Sequence, residues 1–269
     1  MSGFSAEWLA LREPYDGRAR NAAVLAAVAA AFLDRSAVAV VDLACGAGAS
    51  LRAIGPHLPA QQSWRLVDND LGLLARTLAL AEPPRLSVRA EAVDLARDLE
   101  LALDGPLDLI SCSALLDLVS APWLERLVVE AAARALPVYA ALSYDGRATL
   151  APSHPFDAEM VAAVNRHQHR DKGFGPALGP QAAAFAAARF EEIGYAVVQG
   201  RSDWTFAPQD RAIQEAILAG WAGAARELGD VPLDQIAAWF THRREQLADG
   251  GACLQVGHVD LFAAPTGRR

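Results

Sequence analysis

Cysteine is scarce in this sequence, and its scarcity excludes several kinds of site. The 269 residues include 3 cysteines, at Cys45, Cys112 and Cys253, and no two of them form a CxxC pair. Zinc knuckles use such pairs, so we expect no metal site. Widely spaced thiols in apolar segments are typical of the reducing cytosol, and we therefore expect a cytoplasmic protein.

Long apolar runs are missing as well. Residues 22–33 form a run of twelve apolar residues, shorter than the roughly 20 that a membrane-spanning helix needs. The charges before this run are mixed (Arg12, Glu13, Asp16), unlike the positive start of a signal peptide. Cleavage near Ala37 would also cut into the first predicted strand. We expect neither a membrane segment nor export.

The sequence also lacks a basic run. Its net charge is -8 at pH 7, whereas proteins that bind nucleic acids or anionic membranes usually present clustered lysine and arginine. We therefore expect no nucleic-acid partner and no membrane partner. The acidic balance favours a small or peptide-sized substrate. A homodimer is possible, and the sequence leaves the oligomeric state open.

Short apolar strands alternate with helical segments along the chain. With 53% hydrophobic and 21% charged residues, the chain can bury the core of one large α/β domain. The alternation predicts a doubly wound, mostly parallel sheet of seven strands, covered by helices on both faces. The predicted strands are 37–43, 64–68, 86–89, 107–112, 137–143, 195–199 and 253–262.

Three segments lie outside this regular alternation. Residues 1–36 are predicted to form an N-terminal lid or helix that precedes the domain at 37–269. Within that domain, a His-, Pro- and Gly-rich segment at about 150–180 and a helical segment at 208–248 exceed a minimal sheet domain. Both are expected to cover a substrate, because loops and inserts on a rigid scaffold often carry binding residues.

The sharpest pattern is VVDLACGAG at residues 40–48, which lies between a predicted strand and a predicted helix. Gly46 and Gly48 let the main chain turn tightly and approach a ligand that a side chain would block. The helix that follows offers unpaired N–H groups in its first turn. In doubly wound sheets, ligands bind outside the carboxyl ends of the strands, so this segment predicts a ligand site.

Carboxylates follow the next two predicted strands. Asp68 ends the second strand, in WRLVDND at residues 64–70, where a carboxylate can accept both hydroxyl groups of a ribose; Asp70 is an alternative. Asp94 and Leu95 follow the third strand in AVDL, where a carboxylate can accept from an adenine amino group.

Together these segments resemble the class I S-adenosylmethionine (SAM)-dependent methyltransferases over roughly residues 37–143. VVDLACGAG is similar to motif I of that family, WRLVDND to its acidic loop and AVDL to its adenine-binding segment. The resemblance implies the Rossmann-like methyltransferase fold with SAM as cofactor. It places Gly46 and Gly48 against the methionine part of SAM, Asp68 on the ribose, Asp94 and Leu95 at the adenine, Asn69 beside the adenine edge and Asp42 under the glycine turn.

Ala44 stands where the family usually has its first glycine, and we include it in the cofactor site. A dinucleotide-binding Rossmann domain is the alternative, but its GxGxxG fingerprint requires a third glycine where Leu51 stands. A SAM-like fold without activity, which binds a partner protein, is a second alternative because a fold does not fix a function.

The candidate acceptor region is residues 165–176. Methyl transfer requires alignment of the nucleophile, and it requires a base only when the acceptor keeps a proton. His167, His169 and Asp171 are therefore candidate catalytic residues, with Lys172 and Phe174 as candidate substrate contacts. The alternative is a solvated helix end whose cations face the helix dipole.

Further candidates flank the predicted strands. In similar methyltransferases the residues after strand four line the active cleft, which implicates Ser111 with the cofactor and Asp117 with the substrate. Tyr144 ends strand five and is a candidate substrate contact, although Asp117 could equally be a helix cap. Near the N-terminus, the resemblance implies that Arg18 or Arg20 meets the SAM carboxylate while Tyr15 contacts the substrate; a solvated helix start is the alternative.

The sequence as a whole predicts a SAM-dependent methyltransferase that acts on an O or N nucleophile of a small molecule. A methyltransferase of a protein or RNA substrate is the alternative within the enzyme class. The acidic charge argues against RNA.

Overall fold

The computed structural model describes residues 4–82 and 84–267. The central sheet of this part of the chain contains eight strands: β1 (Ala37–Leu43), β2 (Gln61–Asp68), β3 (Leu86–Ala92), β4 (Leu109–Ser113), β5 (Val138–Ala151), β6 (Tyr195–Arg201), β7 (Trp204–Phe206) and β8 (Cys253–Pro265). Their order is β3-β2-β1-β4-β5-β8-β6, and β7 pairs with another part of β8. Strands β1 to β5 run parallel, whereas β8 is antiparallel to each of its neighbours.

Helices cover both faces of the sheet. They are α1 (Ala6–Ala19), α2 (Ala22–Ala31), α3 (Ala49–Ile54), α4 (Leu71–Thr77), α5 (Leu99–Ala102), α6 (Ala121–Ala133), α7 (Asp157–Gln168), α8 (Ala182–Glu192), α9 (Arg211–Leu228) and α10 (Leu233–Ala248). Helices α2, α3 and α4 pack on one face, and α5, α6 and α8 pack on the other. The predicted doubly wound, mostly parallel sheet is confirmed, and the short strand β7 is an eighth strand that the sequence did not reveal.

Strand β1 has the predicted bounds because its sequence suits a strand that is buried on both faces. Val38, Val40, Val41 and Leu43 are all buried, and β-branched side chains pack well on a pleated surface. The strand delivers the chain directly to the turn at residues 44–48.

Strands β5 and β8 are longer than predicted. They span 14 and 13 residues and pair antiparallel, with register shifts between residues 140 and 143 and between 144 and 148. The register shifts mark bulges, which bend the paired strands. Polar residues at 145–149 hid this extension from the sequence pattern.

A helical cap rests on the extended part of β5 and β8. Helices α7, α9 and α10 enclose a second apolar core with Met160, Ile217, Trp221 and Trp239 buried inside it. Helix α1 packs against this core as well. The helices predicted within 150–180 and 208–248 are therefore present in one cap, while their role as a substrate cover stays a prediction.

None of the helices in the described residues combines the length and the apolar character needed to cross a bilayer. Cys45 and Cys112 are buried thiols, and Cys253 is exposed. Residues 4–82 and 84–267 hold no group of three or more His, Cys, Asp or Glu residues arranged to bind a metal ion.

Candidate functional site

A cavity of about 860 Å³ opens at the carboxyl ends of β1 to β4. Four successive chain segments line it: 44–47 after β1, 68–73 after β2, 93–96 after β3 and 113–115 at β4. The strand order reverses between β1 and β4, so the cavity lies at the topological switch point of the sheet. The opposite wall consists of residues from α1 and from the loop at 172–174.

The turn after β1 presents bare main chain to the cavity. Ala44, Gly46 and Gly48 have φ values of 52°, 54° and 82°, a left-handed conformation that favours glycine. A Cβ atom on Gly48 would lie 2.6 Å from a methyl group of Leu80. Ala44 adopts the same conformation at a cost of roughly 1–2 kcal/mol, and its small side chain leaves the cavity open.

Asp68 ties this turn to the neighbouring strand. Its Oδ2 accepts a hydrogen bond from the Gly46 N–H at 2.8 Å, and its Oδ1 accepts one from the Asp70 N–H at 3.0 Å. A carboxylate offers about four acceptor positions, so Asp68 can still accept two hydroxyl groups of a ligand. The alternative, Asp70, uses its carboxylate to cap α4 by accepting from the N–H groups of Gly72 and Leu73.

The end of the cavity beside β3 combines a carboxylate with an apolar surface. Leu95 is buried, and its carbonyl accepts a hydrogen bond from Trp123 Nε1 at 2.6 Å. Asp94 accepts the Ala96 N–H at 3.1 Å and is exposed at the mouth, where Asn69 lies as well. Ala44, Gly46, Asp68, Asn69, Asp94 and Leu95 therefore line the cavity together, as their predicted role requires.

The cationic side chain in the cavity wall on α1 is Arg12, which the sequence analysis did not select. Arg12 is buried, and its Nε donates to Asp16 Oδ2 at 2.8 Å. Asp16 also accepts a hydrogen bond from Trp204 Nε1 at 2.9 Å. Residues four apart share one helix face, so the spacing of Arg12 and Asp16 was an available signal; Pro14 and Gly17 within α1 concealed the helix.

Solved structures with the same architecture were found by comparison. The cyclopropane synthase MmaA2 of Mycobacterium tuberculosis matches with a TM-score of 0.51 at 11% identity, over 97% of this chain and 94% of that one. The candidate methyltransferase BH2331 of Bacillus halodurans C-125 matches with a TM-score of 0.50 at 14% identity, over 91% and 98% of the two chains. The chain has the class I methyltransferase fold.

The YcgJ protein of Bacillus subtilis shares this fold too, with a TM-score of 0.50 at 16% identity, over 92% of this chain and 100% of that one. No protein-family model matches the sequence, and no curated protein matches it. At these identities the likeness establishes the fold, so an activity has to be argued from the residues of the site.

Three residues predicted to contact the cofactor lie beneath the cavity. Asp42 is fully buried, and burial raises the pKa of its carboxyl to about 7. Ser111 is also fully buried, and Gly48 begins α3. None of the three residues lines the cavity, and neither carboxylate oxygen of Asp42 nor the Ser111 hydroxyl has a hydrogen-bond partner in the described residues. The expected support of the glycine turn by Asp42 stays a prediction.

The two predicted arginines also lie outside the cavity lining. Arg18 is exposed and stacks its guanidinium 4.6 Å from the ring centre of Tyr15. Arg20 is buried, and its Nη1 donates to the Tyr139 hydroxyl at 2.9 Å. The structure therefore does not bring Arg18 or Arg20 into the cavity lining, where Arg12 lies instead.

Lys172 and Phe174 line the cavity, as expected of substrate contacts. The other three predicted substrate residues do not line it. The Tyr15 hydroxyl donates to Asp210 at 3.0 Å, and the Tyr144 hydroxyl donates to Asn165 at 2.8 Å, both within or beside the cap.

Asp117 lies in a single 3-10 turn after β4 and is buried. Burial raises the pKa of its carboxyl to about 6, and one of its oxygens has no hydrogen-bond partner in the described structure. The helix cap that Asp117 could have formed is provided instead by Ser120, which caps α6.

The three predicted catalytic residues do not line the cavity. His167 contacts Glu227 through Nε2 at 2.9 Å and Lys172 through Nδ1 at 3.1 Å. His169 directs its Nδ1 to the Ala177 carbonyl at 3.2 Å. Asp171 accepts from the N–H groups of Gly173 and Gly175 and so shapes the loop that carries Lys172.

Proposed function

We propose that this protein is a SAM-dependent methyltransferase that acts on an oxygen or nitrogen nucleophile of a small molecule. The observation that carries the proposal is the position of Asp68. Its carboxylate holds the Gly46 N–H at 2.8 Å and faces a cavity beside the exposed main chain of residues 44–47.

The residues of the cavity fit the parts of SAM. Asp68 has free acceptor positions for two ribose hydroxyls, and Asp94 with Leu95 offers a carboxylate and an apolar surface for the adenine. Arg12 forms a hydrogen bond through Nε to Asp16 within the described residues, which leaves its two Nη groups for the methionine carboxylate. Arginine is suited to this contact because its guanidinium stays charged and binds carboxylates through two N–H groups.

The chemistry of methyl transfer makes few demands on the protein. When bound, SAM supplies a methyl group on a positively charged sulfur. The chain has to align the acceptor with that methyl group and keep water away. The loop at 172–174 and the cavity-facing side of α1 would do both, since they form the wall opposite the strand ends.

A small acceptor is favoured by size and by charge. The cavity volume of about 860 Å³ lies within the range of roughly 300–1,000 Å³ that is typical of small-molecule sites. The net charge of -8 disfavours a polyanion such as RNA.

Calorimetric titration with SAM and with S-adenosylhomocysteine tests the cofactor assignment. Asp68→Ala should weaken both ligands by roughly tenfold or more, because hydrogen bonds to a charged group contribute about 1.5–3 kcal/mol each. Since Asp68 also holds the Gly46 turn, Asp94→Asn is a second variant, and it should weaken binding without disturbing that turn.

Asp104→Asn is the matched control, because Asp104 is exposed and lies outside the cavity lining. Thermal denaturation of each variant separates loss of binding from loss of fold. No binding by the wild type, or equal affinity in Asp68→Ala and Asp94→Asn, would contradict the proposed function.

A further inference from the structure

The 24 lysines and arginines of the sequence include a single lysine, Lys172. Its side chain lines the cavity. Arginine keeps its proton at any physiological pH, whereas a lysine in a less polar environment can release one. The one cationic side chain that can act as a base therefore lies where a methyl acceptor would bind.

A line of titratable groups leads from Lys172 to the surface. Lys172 Nζ lies 3.1 Å from His167 Nδ1, and His167 Nε2 lies 2.9 Å from Glu227 Oε2. The side chain of His167 is 16% exposed and that of Glu227 is 68% exposed. The three groups come from a loop, from α7 and from α9, so the cap and the cavity wall assemble them.

The donors and acceptors of this line fix the positions of the protons. An ammonium group has only donors, so Lys172 donates to His167 Nδ1. The imidazole proton then resides on Nε2 and is donated to the Glu227 carboxylate. Each contact is a hydrogen bond along which a proton can move.

The groups around Lys172 shift the pKa of its ammonium group in both directions. Burial is the largest effect and lowers the pKa of its ammonium group, and the positive charge of Arg170 adds to this. Glu227 and Asp117 oppose the change, while Arg12 acts on Asp117 from α1. Glu227, in turn, has a lowered pKa because His167 donates to it, so it remains a carboxylate able to stabilise an imidazolium.

We propose that Lys172, His167 and Glu227 form a proton relay that carries the proton of the methyl acceptor to solvent; this inference rests on the proposed function. The neutral Lys172 amine takes the proton of an acceptor O–H or N–H, and the freed electron pair forms a bond to the methyl carbon. The carbon–sulfur bond breaks, and its electron pair stays on sulfur.

Lys172 then passes the proton to His167 Nδ1. His167 releases its Nε2 proton to Glu227 or to water, which restores the starting state after the imidazole returns to its original tautomer. The relay limits the acceptor to a group that loses a proton on methylation, an amine or a hydroxyl, and excludes thioethers and carboxylates.

The contacts within the loop argue against a purely structural role for the line of Lys172, His167 and Glu227. Asp171 already holds the loop by accepting the Gly173 N–H at 2.6 Å and the Gly175 N–H at 3.0 Å. Asp171 therefore holds the loop at 172–174 independently of the contact between Lys172 and His167.

The single lysine makes a direct test possible. In the full chain produced with lysine labelled with carbon-13 at Cε, one resonance reports the titration of Lys172. We expect a pKa for Lys172 below its ordinary value of 10.5. Adding S-adenosylhomocysteine should shift the resonance, because Lys172 lines the cavity.

Variants distinguish the relay from general effects. His167→Gln should change the titration of Lys172, because Lys172 Nζ loses its contact with His167 Nδ1. Glu227→Gln should lower the pKa of Lys172 further, because the charge of Glu227 opposes the effect of burial. Both variants should keep the affinity for S-adenosylhomocysteine within about twofold of the wild type. His57→Gln and Glu245→Gln are matched controls at exposed positions, and they should leave the titration unchanged.

The possible failures are distinct. One inflection at the ordinary lysine pKa in a protein that binds S-adenosylhomocysteine would overturn the relay and leave the proposed function intact. The same holds if the titration of Lys172 is unchanged in His167→Gln. Absence of ligand binding in the calorimetric titration would instead overturn the proposed function, on which the relay depends.

Discussion

His258 shows how burial controls charge at a single residue. It is buried between two aromatic rings, with ring centres 4.6 Å from Trp204 and 6.1 Å from Tyr144. Its Nδ1 lies 3.1 Å from the Val256 carbonyl, which is consistent with a proton on Nδ1. Burial lowers the pKa of the imidazole to about 3, and the charge of Arg12 adds to this.

The folded and unfolded chains therefore bind different numbers of protons. The unfolded His258 takes up a proton at a pH of about 6.5, whereas the folded side chain does so only near pH 3. The stability that comes from a neutral His258 is present above pH 6.5 and is lost as the pH falls towards 3. The free energy of unfolding should fall by about 1.4 kcal/mol for each pH unit from this group.

We expect His258→Gln to lose this part of the pH dependence. Urea denaturation at pH 7.5, 5.5 and 4.5 should show the stability gap between wild type and variant narrowing as the pH falls. Asp42 and Asp117, whose raised pKa values act in the opposite direction, are common to both proteins and cancel in the comparison. A constant gap across this range would contradict the neutral state of His258.

Single residues of the candidate site were predictable where a local pattern dictates them. Gly46 lies in the turn after β1 and Asp68 ends β2, and their conformation or hydrogen bonding depends on the neighbouring strand ends. Arg12 was not predictable in the same way, because its position depends on how α1 packs against Trp204. Trp204 is 192 residues away in the sequence, and no short motif records such a contact.

At the scale of elements, α1 is the part of the cavity wall that we expect to be able to move. It packs on β7 and on the cap, and polar contacts fasten it there. Asp16 accepts from Trp204 Nε1, and the Arg12 guanidinium lies 5.1 Å from the centre of the Trp204 ring. Burial raises the pKa of Asp16, so these contacts offset only part of the free-energy cost of burying its carboxylate.

We expect Trp204→Phe to loosen α1, because phenylalanine keeps an aromatic ring and loses the N–H group that Asp16 accepts. Trypsin should cleave after Arg18 or Arg20 several times faster than in the wild type. The affinity for S-adenosylhomocysteine should fall, since Arg12 would lose its support. Trp221→Phe in the cap core is the control, and equal cleavage rates in the two variants would argue against this fastening.

The predictability of elements follows from their burial. The bounds of β1 were confirmed because the strand is largely buried and six of its seven residues are apolar, Asp42 being the exception. The end of β5 was missed because its outer part pairs with the start of β8 under the cap, where polar residues are allowed. The last three residues of β8, 263–265, pair with β6 and were missed as well. Strand β7, with 3 residues, is too short to produce a periodic pattern.

At the scale of the whole molecule, one cavity joins three parts of the chain: the strand ends, α1 and the loop after α7. The strand ends and Arg12 of α1 carry the residues that we assign to SAM, and the loop carries Lys172 and Phe174. A ligand that fills the cavity would therefore contact all three parts. A long RNA or protein would have to reach the same space from outside, past an acidic chain of net charge -8.

This arrangement predicts the size class of the methylated product. When a cell extract is incubated with the protein and SAM carrying tritium on its methyl group, label transferred by the wild type should pass an ultrafilter that retains proteins and RNA. Asp68→Ala in the same extract gives the background, because it should bind SAM weakly. Transfer to small molecules should change little with salt, whereas a reaction on nucleic acid would lose affinity steeply as salt rises, since each phosphate contact releases a counterion. Label that remains above the filter and depends on Asp68 would assign the cavity to a macromolecular acceptor, with only a side chain or a single base entering it.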